Sequence, residues 1–127
     1  MVIKDVVNCG GLAAKNPILM QIYADITGRP MKISRSDQTP ALGAALFAAV
    51  AAGKKQGGFK NVAEAQKVMT GITNEYQPIA SNHEVYKELY SLYRQLHDGF
   101  GTSKWKGNMY NVMKDLLDLR DRVRREK

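Results

Sequence analysis

Apolar positions follow two periodicities along the first third of this chain. Ile3–Asn8 (IKDVVN) is short and β-branched at Val6-Val7, which predicts a strand. Gly10-Gly11 ends it. Asn16-Pro17 then supplies a cap residue followed by a proline at the first helical position. Ile18, Leu19, Ile22, Tyr23 and Ile26 recur at helical spacing, so a helix with that face apolar is predicted. Gly28 closes it and Pro30 prevents its return. Met31–Ser34 (MKIS) reads as a second short strand. Thr39-Pro40 repeats the cap-plus-proline start, and the helix ALGAALFAAVAA runs from there to Gly53. Gly43, Ala44, Ala48, Ala51 and Ala52 make it small-sided, while Leu42, Leu46, Phe47 and Val50 can still pack. Strand, helix, strand, helix implies α/β layering.

The rest of the chain changes character. KKQGGFK (54–60) is a polar connection, and Val62–Met69 is a short helix with Asn61 as its cap. The stretch from Gly71 to Ala80 reads as irregular, with Pro78 opposing continuation. Ser81 and Glu84 stand three apart, as in a capping box, ahead of a helix whose stripe is Val85, Leu89, Leu92, Tyr93 and Leu96. Asp98–Gly107 breaks that helix. Met109, Val112, Met113, Leu116, Leu119 and Val123 mark a last one, ending in RDRVRREK. The expected division is therefore residues 1–60 as part of a nucleotide-binding domain and residues 61–127 as its helical C-terminal segment.

Composition narrows the class. The chain has 127 residues, 44% hydrophobic, enough for one modest domain. Its longest low-charge run, Thr39–Gly53, would be about 22 Å long as a helix, too short for a bilayer of about 30 Å. No membrane is expected as partner. The N-terminus lacks a charged leader followed by an apolar stretch, and the single cysteine, Cys9, excludes an internal disulfide, so the cytoplasm is expected. The net charge is +7. Residues 1–60 hold 8 basic and 3 acidic side chains, a net +5; residues 61–127 hold 11 and 9, a net +2. The excess sits with the glycine pair and suits an anionic ligand, or a chain separated from acidic parts of a larger protein. The tail RDRVRREK is interleaved with acids and reads as a solvated helix end, so no nucleic acid is expected.

Candidate chemistry is sparse. GxxxxGK[ST] and GxGxxG do not occur. His83 and His97 lie about four helical turns apart and cannot share a metal. Cys9, after a β-run, reads as a small buried residue rather than a nucleophile. Tyr86, Tyr90 and Tyr93 share a helix face with leucines and read as packing rather than base-stacking residues. Gly10-Gly11 remains: two glycines between strand and helix allow a ligand to approach the backbone, though by themselves they more often mark a tight turn.

The residues after the pair decide between these. The run CGGLAAKNPILMQIYADITGRPMKISRSDQTPALGAALFAAVAAG closely resembles the C-terminal domain of the FGGY carbohydrate kinases. The shared pattern is Gly10-Gly11, Gln21, Ala24-Asp25, Gly28 with Pro30, Asp37, and Ala41 with Gly43-Ala44-Ala45. Asn16-Pro17 and Gln38-Thr39-Pro40 look most like the branch of that family acting on the pentulose L-ribulose. The resemblance implies a partial actin-like (ribonuclease H-like) ATPase domain, strand-helix-strand-helix followed by closing helices. It implies ATP-dependent phosphorylation of a sugar, with ATP and Mg²⁺ as cofactors. Gly10 and Gly11 would lie against the adenine and ribose. Lys15 stands where the family often has an asparagine near the base, and Asn16 comes one later, so both are candidate nucleotide contacts. Gln21, Asp25 and Gly43 are expected to be structural or to support the site from behind, and not to be catalytic.

The resemblance also implies what is elsewhere. The family's sugar site, phosphate-binding turns and general-base Asp belong to regions this chain does not match. No catalytic residue and no metal ligand is assigned here. The expectation is a C-terminal piece of a sugar kinase, inactive alone and lacking an N-terminal partner domain. The strand Ile3–Asn8 would normally join a sheet made by missing residues, so the piece is expected to expose an apolar sheet face and to associate with itself. The alternative is a small non-enzymatic nucleotide-binding or interaction protein that reuses this half-domain.

Overall fold

The computed structural model describes Ile3 and residues 5–126. The chain divides into two compact units, one ending at Pro78 and the other beginning at Ile79. The segment 61–78 therefore packs with the first sixty residues.

The first unit is built on a three-stranded sheet in the order β1-β2-β3, with β1 Val6–Asn8, β2 Met31–Ser34 and β3 Ile72–Tyr76. β1 runs parallel to β2, Val6 opposite Met31 and Asn8 opposite Ile33. A parallel pair needs a crossover rather than a tight hairpin. Residues 9–30 provide it as α1 (Gly11–Lys15) and α2 (Pro17–Thr27). β1 covers the second half of the stretch predicted as strand; Lys4 within that stretch lies outside the described residues.

β3 is a correction. The stretch 71–80 reads as irregular, yet Ile72–Tyr76 forms an antiparallel strand beside β2, Met31 opposite Tyr76. Its first four residues are exposed, so no apolar alternation announces it. The register slips between Ile33 and Ser34. There the Thr73 hydroxyl donates toward the Ile33 and Ser34 carbonyls at 3.4 and 3.5 Å, partly covering the irregularity.

The core of this unit lies under α1 and α2. Ala13, Met20 and Ile33 form it, with Leu19 and Tyr76 packed against it. α2 turns a different face inward from the one its periodicity suggests. Met20, Ala24 and Asp25 are buried, whereas Ile18, Tyr23 and Ile26 are exposed. Its ends match expectation: Asn16 Oδ1 accepts the Leu19 N–H at 3.0 Å, and Gly28 closes the helix with φ +63°.

α3 (Thr39–Ala52) begins at its expected cap, one residue earlier than predicted, with Thr39 inside the helix and Gln38 before it making no side-chain cap. It packs against α4 (Val62–Met69), burying Leu46 and Ala65. A short 3₁₀ turn, Lys54–Gln56, leads back: Gly58 N–H donates to Gly53 O at 2.9 Å and Phe59 N–H to Ala49 O at 3.1 Å, satisfying a carbonyl near the end of α3. A Cβ on Gly58 would stand 2.0 Å from the Ala49 oxygen, so only glycine fits. Asn61 caps α4 through the Glu64 N–H at 2.9 Å, and the Glu64 carboxylate accepts the Lys60 N–H at 2.9 Å. Lys54 lies 2.9 Å from the same carboxylate. On the far side, the Arg35 guanidinium donates to the Met69 carbonyl at 3.2 Å, at the end of α4.

The second unit is a helix pair, α5 (Ala80–Gly101) and α6 (Val112–Arg125), that buries Leu92, Val112 and Leu119. Three expectations are corrected. α5 starts at Ala80, so Ser81 lies inside it and does not cap it; the preceding Ile79 makes no side-chain cap. The helix runs on to Gly101, past Asp98. α6 starts at Val112 rather than near Met109. Tyr90 and Tyr93 stack with centroids 6.1 Å apart, but both are exposed rather than packed in a core. The connecting loop closes on Trp105, whose ring sits 3.1 Å from where a Gly99 Cβ would be and 2.5 Å from that of Gly107. The Glu88 carboxylate pairs with Arg122 across the two helices.

Two predictions follow from the α3–α4 corner. Gly58→Ala forces a methyl into a carbonyl oxygen and should cost about 3 kcal/mol in urea unfolding. Gly43→Ala, where the added methyl meets open space inside a helix, should instead stabilise by about 0.5–1 kcal/mol. The second concerns acid. Lys54 and then the Lys60 N–H hold the Glu64 carboxyl below its ordinary pKa. Its contribution is thus fully present above the ordinary carboxylate range and disappears as pH falls through the depressed value. Glu64→Gln should lower the melting temperature at neutral pH and flatten this part of the acid limb, read by thermal melts between pH 7 and 3.

Candidate nucleotide-binding wall

The glycine turn is placed by the parallel pairing. β1 and β2 end at the same edge of the sheet, so Cys9 and Gly10 emerge beside Ser34. In parallel sheets this carboxyl edge is where ligands are received. Gly10 adopts φ +86° with ψ 169°, a conformation costly for any residue with a Cβ. It precedes α1, and the Ala14 N–H donates to its carbonyl at 3.2 Å. No heavy atom lies within 4 Å of a Cβ built on Gly10 or on Gly11. The pair therefore serves backbone conformation at Gly10 and leaves open space at both positions; it is not there to admit a neighbouring part of the chain.

Lys15 ends α1 and is exposed; Asn16 follows, half-buried, as the cap of α2. The four candidate residues thus lie along one short segment, at two successive helix starts. Asn16 Oδ1 is engaged by the Leu19 N–H, so the other polar group of that side chain is its donor amide nitrogen.

An open cleft of about 540 Å³ lies next to this segment. Cys9 and Ser34 border it at the strand ends, Thr39 and Gly43 on α3, and Thr70 and Gly71 after α4. Gly10, Gly11, Lys15 and Asn16 do not line it. Cys9 is exposed rather than buried, because it stands at the turn where the strand leaves the sheet. The sequence signal for the cleft is the parallel strand pair, which brings Cys9 and Ser34 together from 25 residues apart.

Gln21 and Asp25 are joined to each other and to the residue after β3. Gln21 Nε2 donates to Asp25 Oδ1 at 2.9 Å and to the Gln77 carbonyl at 2.8 Å, and Asp25 is 2% exposed. Among the described residues, no group of three or more His, Cys, Asp or Glu is placed to hold a metal ion. No ligand set for Mg²⁺ is found among the described residues.

The chain belongs to the FGGY family of carbohydrate kinases: residues 1–52 match the model of that family's C-terminal domain. Ribulokinase from Geobacillus thermodenitrificans (strain NG80-2) is 48% identical over 120 residues, covering 94% of this chain and 20% of that protein. Ribulokinase from Halalkalibacterium halodurans is 51% identical over 94 residues, 73% of this chain and 17% of that protein. Ribulokinase from Mycolicibacterium smegmatis is 43% identical over 122 residues. The chain spans about a fifth of the length of these curated relatives. Among solved structures, a ligand-bound xylulose kinase from Lactobacillus acidophilus is similar with TM-score 0.65 and 22% identity, over 79% of this chain and 19% of that one. A gluconate kinase from the same organism is similar with TM-score 0.61 and 23% identity, over 77% and 19%. These two likenesses establish the α/β fold expected from the sequence.

The cap and the candidate contact at Asn16 can be separated. Asn16→Ala should cost about 1 kcal/mol of stability, whereas Asn16→Ser keeps the cap and should stay within a few tenths of the parent. Chemical denaturation of both variants checks this, and the serine variant then reports on ligand contacts alone.

Proposed function

We propose that this chain forms the adenosine-side wall of the ATP site of a sugar kinase. The parent reaction is ATP plus L-ribulose giving ADP and L-ribulose 5-phosphate. The observation that carries the reading is Gly10-Gly11: a left-handed glycine and its neighbour at the carboxyl edge of a parallel strand pair, with open space over both. Such a turn lets a flat, partly apolar group approach the backbone. The identity to ribulokinases over most of the chain supports the choice of sugar. The comparisons give no support to the alternative, a small non-enzymatic protein reusing the half-domain.

In this reading Gly10 and Gly11 meet the adenine and ribose, Lys15 stands at the edge of the nucleotide, and Asn16 offers its amide nitrogen to the base. Phosphoryl transfer needs a positioned acceptor hydroxyl, a base and charge stabilisation around the γ-phosphate. An N-terminal domain supplies these, together with the pentulose and Mg²⁺ sites. The cytoplasm, where ATP is held, is the compartment that fits; among the described residues no helix is long and apolar enough to cross a membrane.

Titration of the labelled chain with ATP, followed by NMR, tests the placement. Weak binding is expected, with the largest amide shifts at Gly10 and Gly11; largest shifts elsewhere would refute it. A coupled assay with ATP, Mg²⁺ and L-ribulose should show no turnover by this polypeptide alone.

A further inference from the structure

We infer that Gln21 is a positioning residue for the nucleotide wall, tying α2 to the end of β3 through one amide nitrogen shared between Asp25 and the Gln77 carbonyl. The inference rests on the reading of Gly10–Asn16 as the adenosine-facing wall.

The geometry of the tie is specific. Gln21 Nε2 lies 2.9 Å from Asp25 Oδ1 and 2.8 Å from Gln77 O. Both partners are acceptors, so the atom between them is the nitrogen of the amide and both of its hydrogens are engaged. Asp25 is 2% exposed, one residue from Ala24, which is fully buried, so this point of α2 is fixed in depth as well as in rotation. Gln77 immediately follows β3, and Tyr76 before it packs on the Ala13–Met20–Ile33 core.

The tie closes a circuit. β1 leads through Gly10-Gly11 into α1 and α2; Gln21 joins α2 to β3; β3 pairs with β2, and β2 with β1. Gln21 stands five residues beyond Asn16, about 7.5 Å along the helix axis. A small tilt of α2 about Gln21 therefore moves Asn16 and the preceding glycine turn relative to the strand edge. The Asp25 carboxylate, one turn along the same helix, orients the Gln21 amide, and the bond to the Gln77 carbonyl is the one that resists such a tilt. The tie thus sets where the wall stands, without touching the nucleotide.

The other ionisable groups nearby have their own partners. Glu75 accepts from the Gln77 side-chain amide at 2.8 Å, and Lys32 lies 2.5 Å from Asp5. Lys15 is exposed at the end of α1. Replacing the amide with a carboxylate would place it against two acceptors, the Asp25 carboxylate and the Gln77 carbonyl.

The test is an NMR titration with ATP of the full chain, Gln21→Met and Gln21→Glu, at several pH values from 7 to 4.5. Gln21→Met keeps the size and removes the donor. It is expected to stay folded, to shift the free-state Gly10 and Gly11 amides, and to weaken ATP binding about tenfold. Gln21→Glu is expected to bind at least as poorly at pH 7. It should recover relative to the parent as pH falls, because one proton shared between the two carboxyls restores a donor. The parent and the methionine variant should show no such relative recovery. A merely structural role would lower thermal stability while leaving the ATP affinity of the folded variants and its pH profile like the parent's; that result overturns the proposal. If the parent shows no ATP-dependent shifts at Gly10–Asn16, the wall itself is misplaced and the proposal falls with it. If the glutamate variant does not fold at pH 7, the methionine variant alone decides.

Discussion

The parallel pairing of β1 with β2 is the constraint on which the first unit depends. Strands that run the same way must be joined by a crossover, and the crossover here is long enough to carry one short helix and one of three turns. That connection has to leave β1 sharply at its carboxyl end. Gly10 makes this departure by taking φ +86°, which a residue with a Cβ accepts only at a cost. The same pairing delivers Ser34 to the same edge. The site candidate and the cleft beside it are thus consequences of strand direction, before any side chain is considered.

The helices then trade size for proximity. α2 settles on the sheet through Met20 and Ala24, the second being small enough to let the helix axis come close. α3 and α4 meet with Leu46 and Ala65 buried, again one large residue and one small. Where two backbones approach more closely still, glycine is required, as at Gly58 against the Ala49 carbonyl; Gly107 makes room in the same way for the Trp105 side chain. Such contacts give little apolar burial each. They fix geometry, and their value lies in the steep cost of any added atom.

Much of the local structure was legible in the sequence, because caps and stops act through the residues themselves. Asn16-Pro17, Gly28, Asn61 and the β-branched run at Val6-Val7 all do what their chemistry predicts. The inner face of α2 was not legible for a physical reason. Ile18, Leu19, Met20, Ile22, Tyr23, Ala24 and Ile26 make the helix apolar on nearly every side, so periodicity fixes its existence but not its rotation. Burial of the Asp25–Gln21 pair sets that rotation, and a charged residue is the last that a hydrophobic pattern would select. β3 escaped because an edge strand of mostly exposed residues needs only backbone pairing with β2. Cys9 escaped because strand alternation places it with Val7, whose face of β1 is exposed. At the site, the glycine pair was legible and the neighbouring cleft was not, since the cleft exists only once two distant strand ends stand side by side.

Asn16 shows how one residue can serve both fold and ligand. As a cap it must present an oxygen to the Leu19 N–H, and Asp or Ser would do this as well. Only asparagine among the good caps also carries a donor amide on the same planar group. Orienting the oxygen inward for the cap orients the nitrogen away from the helix, with no further rotamer to freeze. Lys15, one residue earlier, has no such constraint: it is exposed, and its flexible stem would lose rotamer freedom on meeting a ligand. Of the two, the asparagine is the better pre-organised donor, and the lysine the better long-range attraction for an anion approaching a segment with net positive charge.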